Sequence, residues 1–333
     1  MSERRKIRVG IVAGGKSSEH EISCISAGGV LAAIDRDLFE PTLIGITKSG
    51  EWVIPPSDQK LEISNGVLPE IVGGTVKKIE DAIDGLDLLF PILHGPFGED
   101  GTFQGLCEML GIRYVGSGVL ASAVAMDKSF AKSIFSSNGL NVADGLVVTS
   151  SNEIDASNLK YPLFVKPARG GSSRGTTKIK DPSLLKDAVD EALKYDSKVL
   201  IESGVVGREI ECAVLEVDGV PTASPLVEIK ILGSHEFYDF EAKYLDGATQ
   251  LVHPDDLPSD IYSGIQSAAV QAFASLGCKG LARVDFFFAD GKIFINELNT
   301  MPGFTATSVF PKLWQQAGIS YTDLISRLIN SAL

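Results

Sequence analysis

The chain has 333 residues, which is enough for two or three domains. Apolar residues make up 44% and charged residues 22% of the sequence, as in ordinary globular proteins, and the net charge is −13. This acidic balance argues against nucleic acid as a partner, because nucleic-acid surfaces select a basic face. It leaves room for an anionic substrate, since a local cluster of Lys and Arg can override the mean charge.

The cysteines and the apolar runs bear on where the protein works. The four cysteines are scattered without paired spacing, which favours reduced thiols over a zinc site or a disulfide framework. No apolar run reaches the ~18 residues that a membrane helix needs, and the short N-terminal apolar segment ends in glycines, unlike a signal peptide. We therefore expect a cytoplasmic protein with no membrane partner.

Residues 1–118 have the pattern of a Rossmann-like domain. A continuous apolar strand, Lys6–Ala13, is followed by a glycine turn and by a helix predicted from Glu19 to Ile34. Thr42–Thr47 and Leu86–Leu93 are further predicted strands. The G-x-G-x-x-G fingerprint is missing, so the pattern does not favour dinucleotide binding.

Two polar residues of this part are candidates for a binding site. Glu21, in HEIS, lies near the helix start, where it can either complete a capping box with Ser18 or bind an ammonium group. His94, in LHGPFGEDGTFQG, follows a predicted strand, and a lone histidine is either a structural residue or a ligand.

Residues 119–201 carry the pattern of a phosphate site. Lys128 lies on a helical pattern, and Lys166 stands at the end of the predicted strand Tyr161–Val165, where it begins the string KPARGGSSRG. Small residues in such a hairpin let backbone N–H groups approach a triphosphate, and lysines supply positive charge. The loop is not a Walker A sequence. The alternative is a mobile surface hairpin without a ligand.

Residues 202–333 begin with a second predicted hairpin, which straddles Asp218-Gly219. Glu209 lies on its first strand, where it is either an edge-strand charge or a ligand-binding group. The aromatic-rich stretch from Leu232 to Pro254 has no regular pattern, and loops longer than ~12–15 residues are commonly functional. We expect it to form a lid or a substrate loop.

A third predicted hairpin joins Arg283–Ala289 to Lys292–Leu298 through Asp290-Gly291. A two-residue loop would place Asp285 opposite Asn296. A three-residue loop, with Gly291 in a left-handed bulge, would instead place it opposite Glu297.

The three-residue alternative also pairs Arg283 with Asn299, so that two carboxylates and an amide converge on one face. Such oxygen ligands suit Mg²⁺, which takes a few protein oxygens together with substrate phosphates. The alternative is an amphipathic hairpin with a solvated acidic face.

The third hairpin and the NTMPGFT string that follows it resemble the D-alanine–D-alanine ligases of the ATP-grasp superfamily. KPARGGSSRG and HGPFGEDGT resemble the same family, and six motifs in family order cover nearly the whole chain. The resemblance implies an α/β (α+β) fold of ATP-grasp architecture. It divides the chain into a Rossmann-like N-terminal domain (1–118), a central lid domain (119–201) and a C-terminal catalytic domain (202–333).

The resemblance also assigns the amino-acid side of the site. Glu21 would hold the amino group of the first D-alanine, with His94 near that substrate. Ser172 would link the glycine-rich loop to Glu21, and Tyr244, in EAKY, would hydrogen-bond on that side of the cleft. This tyrosine separates the family from D-alanine–D-lactate ligases. Arg283 and Gly303 would be the oxyanion donors, and Ser308 would bind the carboxylate of the second substrate.

On the nucleotide side, the resemblance places Lys128 and Lys166 on the ATP phosphates. It places Glu202 and Val205 at adenine and Glu209 at the ribose. Lys243 and Phe287 are two further nucleotide-side residues that it implies. Two Mg²⁺ (or Mn²⁺) ions would bind Asp285, Glu297 and Asn299. Arg174 stands where a small apolar residue is expected, so the resemblance does not determine how this loop closes.

The implied reaction joins two D-alanine molecules at the expense of ATP, through an acyl phosphate, for peptidoglycan precursor synthesis. The implied partners are ATP, D-alanine and a second copy of the chain. Two alternatives stay open. One is another ATP-grasp ligase, such as a D-alanine–D-lactate ligase, and the other is a nucleotide-binding regulatory protein with an inactive site.

Overall fold

The computed structural model describes residues 5–152, 154–232 and 249–333, and these form three β-sheets with helices packed on them. The mixed α/β fold class predicted from the sequence is confirmed. Among the described residues, none of the helices is both long and apolar enough to span a membrane.

The first sheet belongs to the predicted Rossmann-like region. Its elements are β1 (Ile7–Gly14), α1 (His20–Ala33), β2 (Phe39–Ile46), β3 (Trp52–Ile54), β4 (Thr75–Val76), α2 (Ile79–Ile83), β5 (Leu88–Pro91), α3 (Thr102–Leu110) and β6 (Arg113–Tyr114). The strand order is β4-β3-β2-β1-β5-β6, and β2, β1, β5 and β6 run parallel. Strand β1 is apolar without alternation because it lies at the centre of this sheet.

The second sheet is antiparallel and carries the glycine-rich hairpin. Its elements are β7 (Gly145–Val148), β8 (Leu163–Pro167), β9 (Thr177–Ile179), a 3₁₀ turn (Pro182–Leu184), α6 (Leu185–Ala192) and β10 (Val199–Ser203). The helices that precede it in the chain, α4 (Val119–Met126) and α5 (Lys128–Ser137), pack on the third sheet. The order is β7-β10-β8-β9. Helix α6 covers the sheet with the i, i+3, i+4, i+7 face Leu185, Ala188, Val189 and Ala192.

The third sheet is antiparallel, with strand order β13-β12-β11-β14-β15. Its elements are β11 (Arg208–Val217), β12 (Val220–Ile231), β13 (Thr249–Val252), α7 (Ser259–Ser275), β14 (Leu281–Ala289), β15 (Lys292–Asn299), α8 (Val309–Gln316) and α9 (Tyr321–Ser331). Because β11 lies between β12 and β14, Glu209 is on an interior strand, and its interpretation as an edge-strand charge is wrong.

The β14–β15 hairpin has the predicted pairing but not the predicted loop. Asp285 faces Glu297 and Arg283 faces Asn299, as the three-residue loop required. The turn, however, contains two residues: Asp290 and Gly291 have φ values of 49° and 72°, which fit a type I′ turn. A β-bulge between Asp285 and Phe286 shifts the strand register by one residue, as the longer loop would have done.

The bulge adds Asn296 as an extra residue on β15 and re-aims the side chains beyond it. Asn296 and Glu297 are neighbours in sequence, yet both side chains reach a cavity wall on the same side of the sheet. A regular strand would send them to opposite faces.

The predicted boundaries at 118 and 201 stay predictions, although the sheets occupy residues 7–114, 145–203 and 208–299. One apolar cluster joins the two ends of the chain, because α8 and α9 pack between the first and third sheets. Phe304 lies in this cluster, fully buried against the rings of Phe90, Phe310 and Tyr321.

Replacing Phe304 by alanine tests whether this shared core stabilises the fold. We expect Phe304→Ala to lower the free energy of unfolding by about 3–5 kcal/mol, because a large buried ring leaves a cavity. Phe130→Ala, at a ring that is 60% exposed, serves as the control and should cost about 1 kcal/mol or less. Equal losses for the two variants in urea unfolding would contradict the proposed importance of the cluster.

Candidate active site

Two cavities of about 440 and 450 Å³ lie side by side between the three sheets. Lys128, Glu297 and the loop residues 170–172 line both of them, so these groups form a common wall. The first cavity lies between the second and third sheets, and the second extends to α1 and to the turn after β15. A molecule in each cavity would therefore meet the other at this wall.

The glycine-rich loop between β8 and β9 folds back over the common wall. Ser172 and Ser173 have left-handed backbone angles, with φ values of 51° and 56°. A Cβ added at Gly171 would lie 2.5 Å from a carboxylate oxygen of Glu19, so a larger residue there would displace the Glu19 side chain. The hairpin predicted from the sequence is confirmed, and its small residues permit the close approach.

The glutamate that the loop contacts is Glu19 and not Glu21. The hydroxyl of Ser172 donates a hydrogen bond to Glu19 Oε1, and the Glu19 side chain is buried in the wall of the second cavity. Glu21 instead pairs with Lys48 at 2.5 Å on the outer side of α1. The predicted contact between Ser172 and Glu21 is therefore wrong.

The reason is helical geometry. Glu19 is the N-cap of α1, and Glu21 is the second residue of the helix. Two positions apart on a helix correspond to a rotation of about 200°, so the two carboxylates leave the helix in opposite directions. The capping-box alternative for Glu21 is also wrong, because the cap of α1 has no side-chain hydrogen bond.

His94 and Glu99 hold the backbone at Met301 from both sides. The Nδ1 atom of His94 lies 3.0 Å from the Met301 carbonyl oxygen, while the Met301 N–H donates to Glu99 Oε1 at 3.1 Å. The second His94 nitrogen, Nε2, lies 3.1 Å from the hydroxyl of Ser26. Burial lowers the pKa of His94, which favours the neutral ring.

His94 lies in the wall of the second cavity, but both ring nitrogens already have protein partners. His94 is therefore a structural residue within the site, where it fixes the turn after β15. Glu99 takes part in the same function through its second oxygen, which accepts a hydrogen bond from Gly95 at 2.7 Å.

Gly303 and Ser308 follow this fixed turn and line the second cavity. The hydroxyl of Ser308 accepts a hydrogen bond from the Thr305 N–H at 3.1 Å and lies 2.8 Å from the Thr305 hydroxyl. Ser308 is also the N-cap of α8, so its surroundings favour an anionic group.

Two lysines and a buried glutamate form an ion-pair cluster in the wall of the first cavity. Glu202 pairs with Lys132 and, at 2.6 Å, with Lys166, and its carboxylate is buried. Although burial acts to raise the pKa of Glu202, the two lysines lower it to about 2. Burial lowers the pKa of Lys132 to about 8. The side chain of Glu202 thus neutralises two lysines, in addition to lining the predicted adenine site.

Other residues predicted for the nucleotide side also lie in the first cavity. Lys128 begins α5, donates a hydrogen bond to the Gly170 carbonyl at 2.7 Å and pairs with Glu297 at 3.3 Å. Lining the same cavity are Val205, Glu209 and Phe287. Lys243 and Tyr244 lie outside the described residues.

The three predicted metal ligands lie on one face of the β14–β15 hairpin, but each is engaged within the protein. Both oxygens of Asp285 accept hydrogen bonds from Arg283 at 2.7 Å, and the Asn299 amide donates to Asp285 at 3.2 Å. Within residues 5–152, 154–232 and 249–333, no three His, Cys, Asp or Glu side chains converge as a metal site. Two carboxylates and an amide oxygen are nevertheless the donors that Mg²⁺ accepts.

Sequence reasoning missed Glu19, Glu99, Lys132 and the buried Glu211 of β11. Lys132 carried a usable signal, since it follows Lys128 by four residues on a helix and must share its face. Glu99 lies in the GED string near His94, but its backbone partner Met301 comes from a distant segment. Glu19 could not be told from Glu21 without the exact start of α1.

Comparisons with known proteins agree with this geometry. The family model of the D-Ala–D-Ala ligase N-terminus matches residues 8–117, and the model of the D-Ala–D-Ala ligase C-terminus matches residues 134–330. A D-alanine–D-alanine ligase of Paenarthrobacter aurescens (strain TC1) is 46% identical over 358 residues, covering 98% of this chain and 95% of the relative.

Two solved structures have the same fold over nearly their whole length. The VanG D-Ala:D-Ser ligase of Enterococcus faecalis superposes with a TM-score of 0.84 at 34% identity, covering 99% of this chain and 100% of that one. A D-alanine–D-alanine ligase of Bacillus anthracis complexed with ATP gives a TM-score of 0.77 at 29% identity, covering 98% and 97%.

The fold and the paired cavities thus define a ligase with the ATP-grasp architecture. More particularly, the chain belongs to the D-alanine–D-alanine ligase family.

The carboxyl group of Glu99 should make stability depend on pH. Burial, together with the nearby Glu19 carboxylate, raises its pKa to about 8 from a reference value of 4.5. A raised pKa stabilises the fold below about pH 4.5, and this contribution is lost as the pH rises through about 8. We expect Glu99→Gln to flatten the decline of the free energy of unfolding between these values.

Urea unfolding across the same pH range measures this effect. Glu80→Gln, at an exposed residue of α2, is the matched control and should keep the wild-type dependence. Parallel curves for wild type and Glu99→Gln would contradict the raised pKa.

Proposed function

We propose that this protein joins two D-alanine molecules into D-alanyl-D-alanine and converts ATP to ADP and phosphate in doing so, for peptidoglycan precursor synthesis. The observation that carries the proposal is the common wall of the two cavities, at which Lys128, Glu297 and the glycine-rich loop meet. Such a wall lets a phosphoryl group pass from one bound molecule to another. The relative with 46% identity supports the substrate.

ATP would occupy the first cavity. Adenine would lie near Val205 and Phe287, and the ribose hydroxyls near Glu209. Lys128 and Lys166 would neutralise the phosphates, and the backbone N–H groups of the glycine-rich loop would cover them. The pairing with Glu202 keeps Lys166 directed into the cavity before a nucleotide arrives. Most of this catalysis is positioning and charge neutralisation.

The first D-alanine would lie at the common wall, with its ammonium group against Glu19. That carboxylate is already fixed by the hydroxyl of Ser172, so binding the substrate and closing the loop would reinforce each other. Its carboxylate would then face the γ-phosphate beside Lys128. Transfer of the phosphoryl group to that carboxylate gives the acyl phosphate and ADP.

Asp285, Glu297 and Asn299 would hold divalent cations. When bound, Mg²⁺ supplies charge neutralisation for the transferred phosphoryl group. These three side chains are oxygen donors on one face of the hairpin, which suits Mg²⁺, although Arg283 and Lys128 pair with the two carboxylates. The side chains of Arg283 and Lys128 thus offset the charges of Asp285 and Glu297 when no metal ion is bound.

The second D-alanine would bind through its carboxylate at Ser308 and the start of α8. Its free amine attacks the acyl phosphate and gives a tetrahedral oxyanion, which loses phosphate to form the peptide bond. Arg283 and the Gly303 N–H are the proposed oxyanion donors, and losing one such donor typically costs ~2.7–4 kcal/mol. His94 and Glu99 hold the turn that carries Gly303.

Three further assignments are proposals from the family. Lys243 would lie near phosphate or carboxylate, and Tyr244 would hydrogen-bond on the side of Ser172. A homodimer is proposed by analogy, and light scattering of the purified protein would test it. We also propose a cytoplasmic location, supported by the use of ATP and by four buried free cysteines.

ADP release with different amino acids tests the function. We expect release with D-alanine alone and none with L-alanine. Release that requires D-lactate or D-serine as the second substrate would favour a depsipeptide-forming enzyme or an enzyme like VanG, which superposes well on this chain. Absence of release with every combination would leave a nucleotide-binding protein with an inactive site.

Paired glutamine variants test the assignment of Glu19. We expect Glu19→Gln to raise the KM for the first D-alanine roughly 10–100-fold, because hydrogen bonds between charged groups contribute about 1.5–3 kcal/mol. Glu21→Gln removes the same charge two residues away and should change that KM by about fivefold or less, as exposed ion pairs contribute little. Steady-state kinetics that show the larger effect for Glu21→Gln would overturn the assignment.

A further inference from the structure

Among the described residues, Arg283 lies within ion-pair distance of two carboxylates, and the proposed reaction uses one of them. Its Nε atom lies 2.7 Å from Asp285 Oδ1 and 3.1 Å from Glu211 Oε2, while Nη2 donates to Asp285 Oδ2 at 2.7 Å. The Nε–H donates its hydrogen bond to Asp285, and Glu211 lies within ion-pair distance of the same nitrogen. Glu211 has no role in the proposed chemistry and lines neither cavity.

Strand pairing explains how Glu211 comes to this position. Glu211 faces Asp285 across β11 and β14, and Asp285 faces Glu297 across β14 and β15. The three carboxylates thus form one row across three adjacent strands, which are spaced about 4.8 Å apart. Glu211 is the innermost of the three, with a side chain that is 1% exposed.

A carboxylate so deeply buried does not suit a purely structural role. Its desolvation costs several kcal/mol and is only partly recovered by an ion pair, so an apolar residue would stabilise the sheet as well or better. Its neighbour across β11 and β12 is Val227, which shows that this part of the sheet accommodates apolar side chains.

Cation binding at Asp285 explains the arrangement. Both Asp285 oxygens are occupied by Arg283, and a divalent ion needs at least one of them. Releasing Asp285 breaks both of its hydrogen bonds to Arg283, and a largely buried guanidinium is stable only close to another carboxylate. Glu211 offers a second carboxylate within ion-pair distance, so Arg283 needs little movement to change partners.

We propose that Glu211 is a positioning residue that retains Arg283 when Asp285 turns to a divalent cation. It would do two things at once: release a metal ligand and keep the guanidinium aimed at the oxyanion. The inference rests on the proposed function for the identity of the reaction, but its central claim concerns cation binding.

Titration of Mn²⁺ in the presence of ADP, followed by calorimetry or electron paramagnetic resonance, tests this claim without turnover. We expect Glu211→Gln to weaken Mn²⁺ binding roughly 10–100-fold, the range found when groups that orient metal ligands are replaced. Glu216→Gln, on the same strand with its carboxylate on the Gly280 N–H, is the control and should stay within about twofold. Unchanged Mn²⁺ affinity in folded Glu211→Gln would overturn the proposal.

A second background separates positioning from a simple loss of negative charge. In Arg283→Gln, Asp285 no longer competes for the guanidinium, so adding Glu211→Gln should change Mn²⁺ affinity by about twofold or less. An undiminished effect in this background would show that Glu211 acts through its charge alone, and the proposal would be wrong.

The outcomes remain interpretable if a variant or the proposed function fails. Should Glu211→Gln not fold, Glu211→Asp keeps the charge but shortens the reach to Arg283, and it should also weaken Mn²⁺ binding; wild-type affinity there would refute the proposal. Wild-type protein that binds Mn²⁺ with ADP but forms no dipeptide would refute the proposed function and leave the role of Glu211 intact.

Discussion

The neutralisation of a row of carboxylates on the third sheet is the constraint on which the site depends. Glu211, Asp285 and Glu297 lie on three adjacent strands, and such charges are tolerated away from water only when cations meet them. Arg283 and Lys128 supply those cations from within the protein. The acidic face can therefore fold before any ion binds to the proposed metal site.

The same balance ties the second sheet to the third. Lys128 begins the helix α5, touches the glycine-rich loop through Gly170 and reaches across to Glu297. On the other side of the loop, Ser172 contacts Glu19 at the start of α1. The loop thus bridges the first and third sheets, so its closure depends on both cavities being correctly formed.

Backbone contacts fix the turn that completes the site. The Met301 peptide groups are held by His94 and Glu99, which come from the segment after β5. Phe304, three residues later, anchors the turn in the apolar cluster shared by both ends of the chain. A rigid turn suits the proposed role of Gly303, whose N–H would have to lie at one defined place to stabilise an oxyanion.

Periodicity and local chemistry in the sequence were enough to predict much of this protein's secondary structure. Apolar runs, turn residues and the glycine-rich string predicted the parallel first sheet, the hairpins, the helix at Lys128 and the acidic face of the last hairpin. These features depend on near neighbours in sequence. The tertiary structure alone decided the rest, because it depends on contacts between distant segments and on the exact register. The bulge at Asn296 produced the pairing expected from a longer loop, the first turn of α1 directed Glu19 rather than Glu21 into the cleft, and the packing of β11 against β14 brought Glu211 to Arg283.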